Sequence, residues 1–439
     1  MLFKSFLYSF VLFSLFSCQK KETYLGGIQV NEPDHQIWAE ALKRNKMNTV
    51  SVTVYAKQGD WDSDNFWHDG LNEGVLNEIR TAKKNNLKVI LILRTALDHA
   101  YKKNKFLWHG MVLPKDEETL TNWFTKYTNY ISFWSEIAEK EHVDILGIGS
   151  ELKALSATHI LSQKDFLKQY TDFCTWQEKQ KNLILSHEDQ ISKEHLWVRG
   201  YDNFNSLSDF LKQKSKANQR WAEQVFDTTN NSCYSNYLSR TKSLQNHWRK
   251  LIKKCKQDYS GKLTYAANFD NYNNVAFWNE LDFIGINAYF KLRRNITEKP
   301  NENELRRLTT HSWDSIFNSI VEFKDENNIA TPLLFTELGY TFRQNSTVEP
   351  WAHDEFSVIE WKDTSQLVIW YEQSKNYQER NIAINSLIEI NHKYNDLLEG
   401  ILYWKLSTDL THEKYEEFLL HIGKGSNDPL LKTLNKFQN

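Results

Sequence analysis

The sequence contains few of the residues that build linkers or disulfide scaffolds. It has only 6 Pro and 15 Gly among 439 residues, and these are spread over the whole length without a low-complexity segment. Besides one N-terminal cysteine there are three others, Cys174, Cys233 and Cys255. An odd number argues against a disulfide-based fold, although a single bridge is possible.

Neither sign of charge is in excess. The chain has 54 Lys and Arg against 56 Asp and Glu, for a net charge of -2, with no basic run or tail. The sequence therefore favours neither nucleic acid nor an anionic membrane surface as a partner. Composition is otherwise that of a globular protein, and the length suffices for one large domain or two ordinary ones.

Several motifs of well-known chemistries are absent. The histidines show no H-x-x-H or H-E-x-x-H spacing, no cysteine pair has the spacing of a zinc site, and no G-x-S-x-G elbow occurs. No Gly-rich phosphate turn follows an early apolar run, which argues against a nucleotide-binding doubly wound sheet. We therefore expect neither a metal nor a cofactor.

Aromatic residues are abundant instead, with 16 Trp, 20 Tyr and 25 Phe. Two interpretations of this excess are open: core material, or equally a stacking surface for a ligand with flat apolar faces, of which sugar rings are the commonest.

The first residues, MLFKSFLYSFVLFSLFSCQKKE, have the pattern of an export signal. Lys4 precedes an apolar segment, residues 6–16, that is too short to span a bilayer. LFSC, residues 15–18, resembles the lipobox of bacterial lipoproteins, which implies cleavage after residue 17 and acylation of Cys18. The alternative is an ordinary signal peptide with an incidental cysteine. We predict a signal peptide over 1–17, a tether over 18–23 and a lipid-anchored protein at the bacterial cell envelope, on the outer membrane or the periplasmic face.

Eight apolar runs alternate with helix-like segments along the rest of the chain. Continuous apolar runs are typical of parallel strands that are covered on both sides. Eight such strands predict an α/β fold, a (β/α)₈ TIM barrel over residues 24–439, with a doubly wound open sheet as the alternative. The runs are LGGIQV (25–30), NTVSVTVYA (48–56), LKVILILR (87–94), VDILGIGSEL (143–152), KLTYAAN (262–268), LDFIGINAY (281–289), PLLFTELGY (332–340) and GILYWKLS (400–407).

The fourth and fifth runs are separated by far more chain than one helix needs. We predict a polar, helix-rich insertion over residues 155–245 that follows strand four. Within it, LWVRGYDNF (196–204) is interpreted as part of a small satellite core. The alternative is a lid that carries Trp197 and Arg199.

Two glutamates follow buried runs: Glu151 in GIGSEL (147–152) and Glu337 in FTELGY (335–340). A buried carboxylate is costly unless it is paired or used. In a barrel, residues that end strands gather at one mouth, so these two carboxylates are expected to face each other there. At a separation of about 5–5.5 Å, one attacks an anomeric carbon and the other protonates the leaving oxygen. The acid needs a raised pKa, which burial and the neighbouring negative charge are expected to supply.

Further residues at strand ends and in the adjoining loops are predicted to bind substrate. The alternatives are structural pairing for the charged residues and loop packing for the aromatic ones. Tyr55 also ends a run. The predicted substrate-binding residues are Arg94, Ser150, Asn268, Asn287, Tyr289, Trp404 and Lys405 at strand ends, and Trp67, Trp108 and His109 in loops.

Several stretches resemble glycoside hydrolase family 113 of clan A, whose characterised members are β-mannanases. They are GIGSEL, WRKLI (248–252), residues 263–292, PLLFTELGY and GILYWKLS. The resemblance implies that Glu151 is the acid/base and Glu337 the nucleophile of a retaining enzyme. Its substrate would be a β-linked polysaccharide or oligosaccharide, of β-mannan type first. Many clan members have Asn immediately before the acid/base, where this chain has Ser150.

A rival function is a non-catalytic, glycan-binding surface lipoprotein on the same barrel. Ser150 in place of Asn favours it, whereas the presence of both glutamates speaks against it. Internal and terminal cleavage remain open at this point, as does the oligomeric state.

Overall fold

The computed structural model describes residues 23–438, except 202, 228–231 and 297–298. The predicted signal peptide and Cys18 lie outside the described residues, as does all of the predicted tether except residue 23.

Eight parallel strands form a closed barrel. Each strand pairs with its neighbours in chain order, and β1 pairs with both β2 and β8, so that Gly26 lies opposite Thr49 and Tyr24 opposite Gly400. The predicted (β/α)₈ barrel is confirmed, and the open sheet is excluded. The strands are β1 Tyr24–Gln29, β2 Thr49–Gln58, β3 Lys88–Leu97, β4 Ile145–Ser150, β5 Lys262–Asn268, β6 Phe283–Asn287, β7 Leu333–Leu338 and β8 Leu398–Ser407.

The barrel strands are apolar on both faces because both faces are buried. A compact inner core contains side chains from β1 and from β3 to β8, among them Ile90, Ile92 and Phe283. The outer faces contribute to a much larger core shared with the helices. At the closing seam, a Cβ on Gly26 would lie 1.7 Å from the Thr49 carbonyl oxygen, so only glycine allows β1 to approach β2 there.

Helices surround the barrel, and most begin with a polar cap. Asp34, Asn72, Asp116, Asn301 and Asn376 each accept a backbone N–H in the first turn of a helix, which stabilises the helix start. The helices are α1 His35–Arg44, α2 Glu73–Lys84, α3 Glu117–Lys140, α4 Lys153–Ser156, α5 Gln163–Leu185, α6 Leu207–Phe226, α7 Cys233–Asp258, α8 Glu302–Glu326, α9 Tyr377–Lys393 and α10 Pro429–Leu434.

Helix α3 carries a stripe of aromatic residues that packs in the core, and α7 lies beside it. Trp123 and Trp134 are fully buried, and Trp123 Nε1 donates to Gln58 Oε1 at 2.7 Å. On α7, Trp248 stacks on Phe277 at 4.9 Å between ring centroids. Because α7 starts at residue 233 and packs as a barrel helix, the predicted end of the insertion at residue 245 falls inside it.

Helices α5 and α6 join a β-hairpin through a satellite core. The hairpin strands, Phe356–Trp361 and Thr364–Ile369, lie between β7 and α9. Residues 196–204 contribute to this core, as predicted, while Trp197 itself is exposed. The buried members of the satellite core are Ile184, Leu196, Val198, Phe204, Leu207, Phe210, Leu211 and Val358.

The three described cysteines are free thiols, so the possible bridge is not formed. Among the described helices, none combines the length and apolarity that a membrane span requires.

Candidate active site

Strand periodicity brings the predicted polar residues to the carboxyl-terminal mouth of the barrel. On β3, Arg94 shares the inner face with Ile90 and Ile92. On β6, Asn287 follows Phe283 on the same face. The inner apolar core therefore carries a polar layer directly above it.

A register shift sets the position of Glu337. The pairing of β6 with β7 slips so that Asn287 lies opposite Glu337 rather than Thr336. Glu337 is 4% exposed. The extra residue in β7 thus turns the Glu337 carboxylate toward the mouth instead of toward the outer helices.

Glu151 directly follows β4, in a constrained backbone conformation. Its φ is +54°, a region that few non-glycine residues adopt. Neighbouring groups of β5 hold this turn: the Glu151 N–H donates to the Ala266 carbonyl at 2.8 Å, and the Leu152 N–H donates to the Tyr265 hydroxyl at 2.9 Å. Such over-determined strain is typical of functional sites.

Glu337 has two strong partners. It forms a buried salt bridge with Arg94, whose side chain is 9% exposed. The Tyr289 hydroxyl donates to Glu337 Oε2 at 2.7 Å. Burial and the nearby Glu151 charge raise the pKa of Tyr289 well above its ordinary value, so its hydroxyl stays protonated as a donor. A guanidinium and an O–H donor both favour the ionised form of a carboxylate.

Arg94 connects the β4 and β7 sides of the mouth. Its Nη2 donates to Ser150 Oγ at 3.2 Å and its Nη1 to the Tyr55 hydroxyl at 3.4 Å. The guanidinium lies 5.1 Å from the centroid of the Trp404 ring. Ser150 therefore contacts the same arginine that binds Glu337.

An amide from β6 reaches the position beside Glu151. Asn287 Nδ2 donates to Ser150 Oγ at 3.3 Å, and Thr336 Oγ1 donates to Asn287 Oδ1 at 2.8 Å, which fixes the orientation of the amide. Ser150, the residue before Glu151, is thus held by the side-chain amide of Asn287 from another strand.

The pKa of Glu151 is lowered, so the expectation of a raised pKa is wrong for the free protein. Burial acts to raise it, but the hydrogen bond and charge of His109, together with the Arg94 charge, outweigh burial. His109 Nε2 lies 3.1 Å from Glu151 Oε2. The two glutamates therefore sit in different environments, one bound to Arg94 and Tyr289 and the other beside His109 and Asn287.

The remaining predicted residues fall into two groups. Trp404 and Lys405 end β8 together, with Lys405 Nζ 3.9 Å from the Trp404 ring centroid, and burial lowers the pKa of Lys405. Asn268 pairs in register with Asn287, and its buried Oδ1 has no hydrogen-bond partner within the described chain.

The two loop tryptophans lie in different surroundings. Trp108 packs edge-on against the His109 ring at 5.0 Å. Trp67 lies in a short strand beside β2, with its ring 6.5 Å from that of Tyr101. No hydrogen bond or ring contact among the described residues links Trp67 to the two glutamates.

Two contributors are missing from the predicted substrate-binding set. Tyr55 donates nothing to Arg94 but accepts from it, and its position at the end of a predicted run could have identified it. Thr336 precedes Glu337, and only the register shift reveals that it holds Asn287. In the described part of the chain, no group of three or more His, Cys, Asp or Glu side chains is arranged to hold a metal ion.

Comparisons with known proteins agree with the barrel fold. The sequence profile of Glycoside Hydrolase Family 113 matches residues 29–160 and 175–383, which include most of the predicted insertion. A solved structure described as a GH113 β-1,4-mannanase has 16% identity and a TM-score of 0.57, with 95% of this chain and 98% of that chain covered.

A second solved structure is the GH113 β-mannanase AaManA from Alicyclobacillus acidocaldarius in complex with ManMIm. It has 13% identity and a TM-score of 0.55, with 95% of this chain and 97% of that chain covered. At such identities the likeness shows the fold alone, and no curated protein matches the chain. Since the family profile covers most of the chain, this protein belongs to Glycoside Hydrolase Family 113 and is a glycoside hydrolase.

Proposed function

We propose that the protein is a retaining glycoside hydrolase that cleaves β-mannan-type polysaccharides or oligosaccharides, with Glu337 as nucleophile and Glu151 as acid/base. The observation that carries the proposal is the contrast between the two carboxylates. Glu337 is bound by Arg94 and Tyr289, whereas Glu151 lies beside His109 and Asn287. Carboxylates with different environments are the usual basis for dividing acid and nucleophile roles.

In the first step, Glu337 attacks the anomeric carbon and the glycosidic C–O bond breaks. Arg94 and Tyr289 each bind one carboxylate oxygen, which orients the nucleophile before attack. Protonated Glu151 transfers its proton to the departing oxygen. Because His109 favours ionised Glu151 in the free protein, the proposed step needs Glu151 to be protonated against this interaction when substrate binds.

In the second step, water attacks the glycosyl-enzyme ester. Ionised Glu151 takes a proton from the water, the bond between the sugar and Glu337 breaks, and the anomeric configuration is retained. The His109 contact suits this step, since it stabilises the Glu151 carboxylate that acts as base.

The mannan preference rests on the family and on the β-mannanases that share the fold. It is tested with β-mannan, glucomannan, β-glucan, xylan and a chitin-type polymer under identical conditions. Mannose-containing products from mannan or glucomannan are expected. Activity restricted to one of the other polymers would change the proposed substrate class but not the proposed two-carboxylate mechanism.

The mechanism is tested with Glu337→Ala. Turnover should vanish because the nucleophile is gone, and azide should restore part of it with a product of inverted anomeric configuration. The matched control is Glu389→Ala, an exposed glutamate paired with Arg306 on the outer helices, which should retain activity. Wild-type activity in Glu337→Ala would end the assignment. Family membership makes the rival glycan-binding protein without catalysis the less economical explanation.

We also propose export and lipid anchoring through Cys18, from the apolar segment and LFSC alone. In a bacterial host, the full chain should incorporate labelled palmitate and sediment with membranes, and Cys18→Ser should do neither. Membrane association without label in both forms would contradict anchoring by this cysteine.

A further inference from the structure

A cavity of about 670 Å³ lies over the carboxyl-terminal face of the barrel, away from the contacts of the two glutamates. One wall is formed by α5 and α6, and the other by the loops after β6 and β7 together with the hairpin. Trp108, from the loop after β3, also lines it. All of these segments follow the carboxyl ends of strands, so the cavity and the catalytic mouth share one face of the molecule.

The cavity adjoins the mouth on the side of Glu151. Trp108 lines the cavity, and the next residue, His109, holds the Glu151 carboxylate. The Trp108 indole lies against Gly110, where an added Cβ would come within 2.2 Å of the ring. Glycine at this position thus allows the Trp108 indole to approach the backbone closely.

Aromatic faces and amides line the cavity, the combination that binds sugars. Trp176 on α5 is 56% exposed, which is unusual for so large an apolar side chain. Across the cavity, Trp351 stacks on Phe269 at 5.3 Å, which fixes its orientation. Asn218 donates to Gln177 at 3.0 Å and is itself nearly buried, so the amide pair is pre-oriented beside the indoles.

Most of the lining charges are already paired, which favours a neutral ligand. Lys179 bonds Glu360 at 3.0 Å, and Lys291 bonds Glu349 at 3.2 Å. Arg293 is buried against Glu379 at 2.8 Å. Lys181 also pairs with Glu178 at 3.3 Å, which leaves Lys214 and Arg294 as the two lining cations without a salt bridge among the described residues.

We propose that this cavity is a leaving-group-side subsite, in which Trp176 stacks on a sugar residue beyond the bond that is cleaved. The inference rests on the proposed role of Glu151. A general acid protonates the oxygen of the departing sugar, so the departing chain lies on the side of the acid. Trp108, the residue before His109, lines the cavity, where the next sugar rings would lie.

The satellite core keeps the two walls at a fixed distance. Ile184 and Leu211 line the cavity and are also members of that core, as is Val358 of the hairpin. A subsite formed in this way is present before substrate binds, which lowers the entropic cost of binding a chain.

The test is Trp176→Ala, assayed on two substrates. One is a β-1,4-mannohexaose, which extends past the cleaved bond, and the other is a 4-nitrophenyl β-mannobioside, whose small leaving group does not reach the cavity. For the hexaose, KM should rise about tenfold with kcat nearly unchanged, as expected for loss of one stacking contact. Both parameters for the aryl glycoside should stay at wild-type values.

Transfer to an added sugar acceptor gives an independent measurement. With the aryl glycoside as donor, transfer to mannobiose should fall in Trp176→Ala, because the acceptor binds on the leaving-group side. Trp176→Phe keeps a stacking face and should lie between alanine and wild type. The control is Trp197→Ala, another exposed tryptophan of the same insertion, which does not line the cavity and should match wild type.

Two outcomes would overturn the proposal. An unchanged KM for the hexaose in folded Trp176→Ala would mean that the cavity does not bind the chain. An equal rise in KM for both substrates would place Trp176 on the opposite side of the cleaved bond. These results are separable from failure of the proposed function, which is decided by Glu337→Ala, and the oligosaccharide series can be replaced if another polymer proves to be the substrate.

Discussion

Arg94 is the side chain through which the two sides of the mouth make contact. It binds Glu337, Ser150 and Tyr55 at the same time, from the inner face of β3. A planar guanidinium directs its donors along fixed directions from three nitrogens, whereas the donors of an ammonium all lie on one rotatable nitrogen. The consequence is that charge alone does not substitute for arginine at this position.

Arg94→Lys should therefore lower kcat about 100-fold or more, with little change in the melting temperature, because Glu337 loses an oriented partner while the charge is retained. Steady-state kinetics on an aryl glycoside and a thermal melt measure the two quantities. The control is Arg306→Lys, at an exposed ion pair with Glu389. A kcat within threefold of wild type would show that Arg94 is structural only.

His109 sets the acidity of Glu151, and this gives a prediction with a definite sign. The pKa of Glu151 is lowered against burial by His109 and Arg94. A general acid must be protonated, so the alkaline limb of kcat/KM follows this pKa in the free enzyme. Removing the hydrogen bond in His109→Ala should raise the pKa and move the alkaline limb to higher pH.

A pH profile of kcat/KM for His109→Ala measures the shift directly. His392→Ala, at the exposed end of α9, serves as control and should leave the profile unchanged. An alkaline limb that stays in place or moves to lower pH would show that His109 does not tune the acid.

The sequence could identify most residues of the barrel mouth, but not the direction in which the pKa of Glu151 is shifted. Glu151, Glu337 and Arg94 each end an apolar run, and that pattern alone placed them together. The contact between His109 and Glu151 joins two loops, and the periodicity of apolar residues carries no information about such a contact. Trp67 has a sequence context much like that of Trp108, yet only Trp108 packs beside His109.

At the scale of single elements, α2 carries a carboxyl group on its buried face. Glu78 is 7% exposed, and burial raises its pKa to about 7 from a model-peptide value of 4.5. Because the folded state holds this proton more tightly than the unfolded state, the free energy of unfolding falls as pH rises through the window from 4.5 to 7. Above that window the ionised group remains buried.

Glu78→Gln should therefore stabilise the protein at pH 8 relative to wild type, by up to about 3 kcal/mol, and have a much smaller effect at pH 4.5. Urea unfolding at both pH values measures the difference. Glu389→Gln, at an exposed position, should show no such pH dependence. A stability difference that does not change with pH would mean that the pKa of Glu78 is the same in the folded and unfolded states.

Strands were predictable because burial on both faces leaves an uninterrupted apolar run, and every predicted run overlaps one barrel strand. The end of the insertion was not predictable, since α7 is a mostly polar helix like α5 and α6. What separates α7 is the face that packs on α3, which includes Trp248. The hairpin at residues 356–369 escaped prediction, although its two short alternating runs flank a polar turn.

At the scale of the whole molecule, the satellite core joins two segments that are distant in sequence. Val358 of the hairpin is 2% exposed among the side chains of α5 and α6. This core is separate from the barrel core, so the two should respond independently to damage.

Val358→Asp should loosen the hairpin and α6 while the barrel stays folded, because a charge would be buried without a partner. Hydrogen exchange should rise in residues 356–369 and 207–226 and remain low in β1 to β8. Gln366→Asp, at an exposed position on the same hairpin, is the matched control. Uniform loss of protection across the barrel would show that the two cores unfold as one.

Barrel closure followed from the count of eight runs, because that number of tilted parallel strands closes on itself. The way in which the outer segments meet did not follow, since helical periodicity specifies that a face is buried and not which surface covers it. The cavity between α5, α6 and the hairpin therefore could not be predicted from the sequence and is seen only in the folded structure.

Trp108 and His109 are adjacent in the chain but serve different neighbours, one the cavity and the other the Glu151 carboxyl. A sugar ring that presses on the Trp108 indole would act on the same stretch of backbone that carries the His109 imidazole. A long substrate would in this way help to prepare Glu151 for cleavage of that substrate. Short fragments that do not reach the indole would be hydrolysed more slowly than their affinity alone predicts.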